Sequence, residues 1–311
     1  VTISSVFDAA GVRGFLHARC VGCDHGAGLR ADEPVVLSSV VKVPLVLEFA
    51  RQVAAGQLDP ADRVRVRAAD RLGGTGTAGC ADDVEFSLRD AALFALSLSD
   101  NTAADLLFDR VGLANVRSLV RELGLANTRI YGSPRDILRA MIEDLGARDA
   151  AEFAERYAAL TPAQVGTMRA LDPRHATAST PRELTRLLQL VWRDEAGPAE
   201  ACAQVRALMR QQINWYRLTA GFPPEVRVAG KTGTLPGMRA EIGVAEYPDG
   251  GRYAVAVFTR ADTLEQRLPH VDRAIGEAAL AAVTEITRHP CPARCVRGES
   301  SPAGPASRQP R

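Results

Sequence analysis

The chain has 311 residues, with 38 Lys and Arg against 37 Asp and Glu, for a net charge of +1. Hydrophobic residues make up 46% and charged residues 24%, as in an ordinary globular protein of one large domain or two sub-domains sharing a core. That balance argues against nucleic acid or an acidic membrane surface as partner, and no apolar run approaches the roughly eighteen residues of a membrane span. The N-terminus, Val1-Thr-Ile-Ser-Ser5, lacks the basic and apolar regions of a secretory signal. As numbered the chain therefore reads as cytoplasmic, or as secreted or periplasmic if a leader precedes it.

In chain order, residues 13–21 and 28–37 read as short strands, with Cys23-Asp-His-Gly-Ala27 as the turn between them. An apolar helix follows to about Val53, with Ser38 as its expected N-cap. Pro44 lies near enough to the helix start to be tolerated. Residues 58–66 read as a loop and a short extended piece, and the glycine-rich 71–83 as a loop. Residues 87–97 and 101–110 read as helices and 113–160 as mostly helical. Thr180-Pro-Arg-Glu183 opens a further helix to about Trp192, with Thr as cap and Pro at the first position. Residues 198–212 form another helix. Strands are expected at 226–234, 239–247 and 252–260, the last two joined through Pro248-Asp-Gly-Gly251. A final helix is expected from about Thr263 to Arg288, and a Pro-, Ser- and Arg-rich tail from 290 to 311 reads as disordered.

This order predicts an α/β (α+β) fold, an antiparallel five-stranded sheet flanked by helices beside an all-helical lobe. Residues 1–50 and 213–289 would form the sheet sub-domain and 51–212 the helical one, with a cleft between them as the natural site. Six cysteines are present. Cys80 and Cys202 read as lone buried thiols. Cys20 with Cys23 and Cys291 with Cys295 have spacings that suit free thiols, disulfides or a zinc site; free or disulfide-bonded pairs are the preferred reading, and no metal or cofactor is expected.

Three short motifs carry chemistry. In Ser39-Val-Val-Lys42 the hydroxyl and amine share one helix face. A serine hydroxyl becomes a good nucleophile only when a base takes its proton. A lysine can be that base where burial or a nearby cation lowers its pKa, and the apolar run Val43–Leu47 predicts burial. Ser99-Asp100-Asn101 alone reads as a helix N-cap cluster. Lys231-Thr232-Gly233-Thr234 alone reads as a strand whose glycine admits a close neighbour.

Together and in this order the three motifs resemble the set of class A β-lactamases and penicillin-binding proteins. Leu98–Leu107 and Thr180–Leu188 also look like segments of that superfamily. The resemblance covers roughly residues 10–288, leaving out much of 125–175. It implies a β-lactamase/transpeptidase-like fold and a set of roles. Ser39 would attack a carbonyl and form an acyl-enzyme. Lys42 would take its proton, kept partly neutral by Lys231, and Ser99 would relay a proton to the leaving group. Asn101 would hold Lys42 and a substrate amide. Lys231, Thr232, Thr234 and Arg239 would bind a substrate carboxylate. The backbone N–H groups of Ser39 and Thr234 would form an oxyanion hole.

One family feature is missing. Class A enzymes carry Glu-x-x-Leu-Asn before the Thr-Pro helix, and that glutamate activates the water that releases the acyl group. Residues 160–179 hold Gln164, Asp172 and His175 but no glutamate; Glu152 and Glu155 read as a solvated helix face. His175 or Asp172 is the candidate substitute base. The expected ligand is a small molecule with a carboxylate and an amide, ester or β-lactam carbonyl. The enzyme readings are a β-lactamase with another release device, a penicillin-binding-type peptidase or esterase, or a biosynthetic tailoring enzyme. The rival is a binding protein without turnover.

Overall fold

The computed structural model describes residues 2–288. Helix α1 (Ile3–Ala9) precedes the hairpin of β1 (Arg13–Cys20) and β2 (Gly26–Leu29). Strand β3 (Val35–Val36) leads into a 3₁₀ turn at Ser38–Val41 and then α2 (Lys42–Ala54). Strands β4 (Arg63–Val66) and β5 (Val84–Ser87) bracket the glycine-rich loop, before α3 (Leu88–Ser97), α4 (Asn101–Val111) and α5 (Leu113–Glu122). Next come α6 (Pro134–Asp144), α7 (Ala150–Ala158), the single turn α8 (Pro162–Val165) and strand β6 (Ala178–Ser179). Helices α9 (Pro181–Trp192), α10 (Ala199–Met209) and the short α11 (Leu218–Gly221) lead into β7 (Arg227–Leu235), β8 (Met238–Glu246) and β9 (Arg252–Arg260). Helix α12 (Pro269–Thr287) closes the order.

The main sheet has five strands in the order β2-β1-β9-β8-β7, every neighbouring pair antiparallel. Strands from the two ends of the chain meet where β1 pairs β9, with Phe15 opposite Phe258. Side chains alternate between the faces. On β9, Val255 and Val257 join a core with Phe7 of α1 and Ile275 and Ala279 of α12. Ala254, Ala256 and Phe258 join the larger core with α2, α9 and α10. Phe7 sits so close under β1 that a Cβ at Gly14 would lie 2.1 Å from its ring.

Helix α2 is the axis of the helical part and packs against α3, α4, α5 and α10. Val43, Leu45, Val46, Leu47, Phe49 and Ala50 are all buried, so the helix is apolar almost all round, as a central helix must be. Burial of each such large side chain contributes about 1.5–3 kcal/mol. Pro44 is the third helical residue, where its missing N–H would have had no intrahelical partner anyway.

Several expectations shift. Helix α1 was not anticipated; Thr2 caps it and exchanges hydrogen bonds with Ser5. The strand expected at 28–37 breaks after Leu29, because Asp32-Glu33-Pro34 cannot continue a ladder; Val35–Val36 instead pairs with Ala178–Ser179. The stretch 113–160 divides into three helices, with Gly124 and Gly146 in left-handed turns and Ser133-Pro134 opening α6. The last helix starts at Pro269, not Thr263. Ser38 does not cap α2: Leu37 precedes the turn without a side-chain cap, and Ser38 has φ 46°. Helix α9, within the stretch assigned to the helical lobe, packs on β1 and β9. Cys202 is buried, but Cys80 is only partly so. Cys291, Cys295 and the tail lie outside the described residues. Among the described residues no helix is long and apolar enough to cross a membrane.

Candidate active site

Ser39 projects from the 3₁₀ turn and Lys42 is the first residue of α2. In a 3₁₀ turn side chains three residues apart nearly eclipse, and Lys42 Nζ donates to Ser39 Oγ at 3.1 Å. It also donates to the Ser99 carbonyl at 2.6 Å and to Asn101 Oδ1 at 2.8 Å, with Ser99 Oγ at 3.4 Å. Lys231 Nζ reaches the same hydroxyl from β7, donating to Ser99 Oγ at 2.9 Å and to the Thr232 carbonyl at 3.0 Å. Ser99 Oγ thus stands between two amines, one of which touches Ser39.

Local structure holds these groups in place. Ser99 has φ 61°, a left-handed conformation that costs a serine about 1–3 kcal/mol and recurs at functional sites. Asp100 is fully buried and caps α4 through the N–H of Ala103, while its other oxygen accepts from the N–H of Thr77. The glycine loop closes on it: a Cβ at Gly76 would lie 2.4 Å from Asp100 Oδ2. On β7, a Cβ at Gly233 would lie 2.3 Å from Ser38 Oγ. The close approach expected at that glycine is present, and it brings Thr234 beside the nucleophile turn.

The two lysines have no solvent exposure. Burial lowers the Lys42 pKa to about 7, against the opposing pull of Asp100. Burial, and then the neighbouring Lys42, hold Lys231 well below its ordinary value. Removal from water is the main cause in both cases.

A cleft of about 770 Å³ opens over this centre. Ser39, Ser99, Asn101, Thr232, Thr234 and Arg239 all line it. Arg239 is buried, and its guanidinium donates to the carbonyls of Leu235, Met238 and Gln266 at 3.3, 2.9 and 2.7 Å. It straps the 261–268 loop to the sheet, which is not the free carboxylate-binding arginine that was expected. Arg217, which carries no motif, lies behind the strand that carries Thr234 and does not itself line the cleft. It is buried, donates to the Gly233 and Ala240 carbonyls, pairs with Asp272 at 2.6 Å, and donates to Thr234 Oγ1 at 3.1 Å. Sequence reading had no signal for it beyond an arginine between Tyr216 and an apolar turn.

A second recess, about 90 Å³, also borders Ser39, lined by Lys42, Asn101, Thr234 and Leu235 together with Pro134 and Ile137 of α6. No carboxylate or imidazole lines it. Neither His175 nor Asp172 lines either space. His175 is exposed, and Asp172 is held by Arg174, which keeps its pKa down at about 2. The structure therefore does not bring the proposed substitute base to the nucleophile. Glu152 pairs with Arg148 and Arg156 on the surface of α7, as expected.

A five-stranded antiparallel sheet flanked by helices, with a serine and two buried lysines gathered beneath a cleft, is the arrangement of the β-lactamase and penicillin-binding superfamily that the three motifs resemble. Residues 2–286 match the model of the Beta-lactamase enzyme family, and the chain belongs to that family. The "Beta-lactamase regulatory protein BlaB" of Streptomyces cacaoi is 30% identical over 277 residues, covering 84% of this chain and 87% of that protein. The β-lactamase of Sphaerobacter thermophilus is 25% identical, with TM-score 0.71, over 93% of this chain and 98% of that one. PBP-A, at 18% identity and TM-score 0.70 over 91% and 96% of the two chains, shares the fold.

Proposed function

We propose that the protein is a serine acyl-enzyme former that captures a carboxylate-bearing amide, ester or β-lactam at Ser39 and releases it slowly. The observation that carries this reading is the fully buried Lys42 amine 3.1 Å from Ser39 Oγ. With a pKa near 7, much of that amine is neutral at neutral pH and able to act as base. In acylation the Ser39 O–H proton passes to Lys42 Nζ as Oγ bonds the carbonyl carbon. The N–H groups of Ser39 and Thr234 would face the resulting oxyanion. Collapse breaks the carbonyl bond to the leaving nitrogen or oxygen, which takes a proton from Ser99 Oγ, itself reprotonated from Lys42. Lys231, Thr232 and Thr234, backed by Arg217, would hold the substrate carboxylate.

Release by water needs a second base on the far side of the acyl carbon. The small recess beside Ser39 offers no carboxylate or imidazole, with Pro134 and Ile137 in its lining, which supports a long-lived acyl-enzyme over efficient β-lactamase turnover. A β-lactam is the first substrate to try: a variant of PBP-A has been captured as an acyl-enzyme with penicillin G. The test is intact mass after incubation with penicillin G, followed in time. A lasting adduct, absent in Ser39→Ala, is expected. Rapid return to the free mass with product release would replace this reading with an ordinary β-lactamase, and no adduct would remove penicillin G as a substrate.

A second reading, a sensor that binds or is acylated without turnover as its task, is favoured by the regulatory name of the Streptomyces cacaoi relative. The same adduct serves both; a partner that binds only the acylated form would select the sensor.

A further inference from the structure

A carboxylic acid that the reaction above does not use lies under the carboxylate-binding strand. Glu241 of β8 is fully buried and pairs with Thr232 in the ladder. Burial raises its pKa to about 7, while the Leu218 N–H, Arg217, Gln212 and Lys231 pull the other way. A buried carboxyl is costly unless its oxygens are satisfied, and each is. Oε1 accepts from Gln212 Nε2 at 2.5 Å and Oε2 from the Leu218 N–H at 2.8 Å. Space for the first bond exists because residue 230 is glycine: a Cβ there would lie 2.5 Å from Glu241 Oε1 and 2.8 Å from Gln212 Nε2.

The two bonds grip both ends of one segment. Between Gln212 and Leu218 lie Asn214 and Tyr216, which line the cleft, and Arg217. Asn214 Nδ2 donates to Thr232 Oγ1 at 3.2 Å, and Arg217 to Thr234 Oγ1 at 3.1 Å. Gln212 also turns its carbonyl oxygen to β7, accepting from the Thr232 N–H at 2.8 Å. That N–H lies on the edge strand, and among the described residues no strand beyond β7 receives it. The chain of bonds therefore runs from Glu241 through Gln212 to the strand that holds Lys231, Thr232 and Thr234.

We infer that Glu241 is a positioning residue: by clasping Gln212 and the Leu218 N–H it sets the 212–218 segment against β7 and so shapes the site for a substrate carboxylate. It touches neither the substrate nor Ser39. The kinetic part of its test rests on the acyl-enzyme reading; the structural part does not.

The structural part is amide hydrogen exchange at Thr232, with Ile242 in the middle of the sheet as internal reference. In Gln212→Ala and in Glu241→Leu, exchange at Thr232 should speed up about tenfold or more relative to Ile242, the loss of one net hydrogen bond. Glu241→Gln keeps the size but turns an NH2 toward one of the two donors, so it should speed exchange at Thr232 nearly as much as Glu241→Leu does, because Gln212 is left unclasped or flips its carbonyl away from Thr232. Unchanged relative exchange in Gln212→Ala overturns the inference, even if Glu241→Leu fails to fold. The kinetic part is the rate of Ser39 labelling by penicillin G against concentration. Gln212→Ala should raise the half-saturating concentration about fivefold or more, for one weakened polar contact, with the limiting rate nearly unchanged. A loss confined to the limiting rate overturns the inference as well. If penicillin G does not label the unaltered protein, the functional reading fails, and the exchange comparison alone decides the role of Glu241.

Discussion

On the β7 side of Ser39, two buried amines, two hydroxyls and an amide form one hydrogen-bonded centre. Toward α6, the smaller recess that shares Ser39, Lys42, Asn101 and Thr234 with this centre is closed by Pro134 and Ile137. The first region has what bond formation to a carbonyl requires, an activated hydroxyl and nearby proton carriers. The second has no carboxylate or imidazole to act as a further base on a hydrolytic water, and its one basic group is the same Lys42. On the proposed reading, acylation would draw on the first set of groups and release on what stands in the recess, so one could be present without the other.

The largest effect that would break this contrast comes from Lys42. Lys42→Met should slow Ser39 labelling by penicillin G by about 10²–10⁴, the usual contribution of a positioned general base; labelling times by intact mass check it. Near-normal labelling would remove Lys42 from the mechanism. Next, Gly233→Ala should push β7 off Ser38 Oγ and the Leu37 carbonyl, 2.3 and 3.1 Å from the new Cβ. With Thr234 N–H displaced, labelling should fall about 10²–10³, as for loss of one oxyanion donor, while the thermal midpoint shows that the chain still folds.

The recess can be tested by giving it what it lacks. Ile137→Glu, in the first turns of α6, should shorten the life of the acyl adduct about tenfold or more while leaving its formation unchanged, if the carboxylate activates water. An unaltered lifetime would mean that the apolar wall is not what limits release. The mildest effect is that of pH. Because burial brings the Lys42 pKa to about 7, the amine is protonated below that value and neutral above it. Labelling should therefore rise about tenfold per unit up to pH 7 and level off above. A profile flat from pH 5 to 8 would show that another group takes the Ser39 proton.

Much of the site was legible in the chain itself. Ser39 and Lys42 lie within one turn, and local geometry makes them touch whatever surrounds them. Ser99 and Asn101 border a capped helix start, and Lys231 to Thr234 lie on one strand; short-range pattern and motif order identify all of these. Four of the five strands and most helices followed from period and from turn residues, whereas half of β2 lies in the expected turn, at Gly26 and Ala27. What was missed depends on contacts between distant segments. Arg217 had no local signature, and its value comes from Thr234 and Asp272, brought together by β7 and α12. Arg239 had the right residue type on the expected strand, but the 261–268 loop takes up its donors.

By itself, then, the sequence determined the alternation of strands and helices and which side chains could carry an acyl transfer, because these follow from periodicity, capping and spacing along the backbone. The apolar run after Lys42 predicted its burial, but only the tertiary structure decided that Lys231 is equally dry and that Glu241 is buried beside the binding strand. It also decided that Pro134 and Ile137, not His175, stand in the recess beside Ser39. Desolvation and the lining of a cavity depend on which segments, far apart in the chain, pack against one another, and no local pattern encodes that.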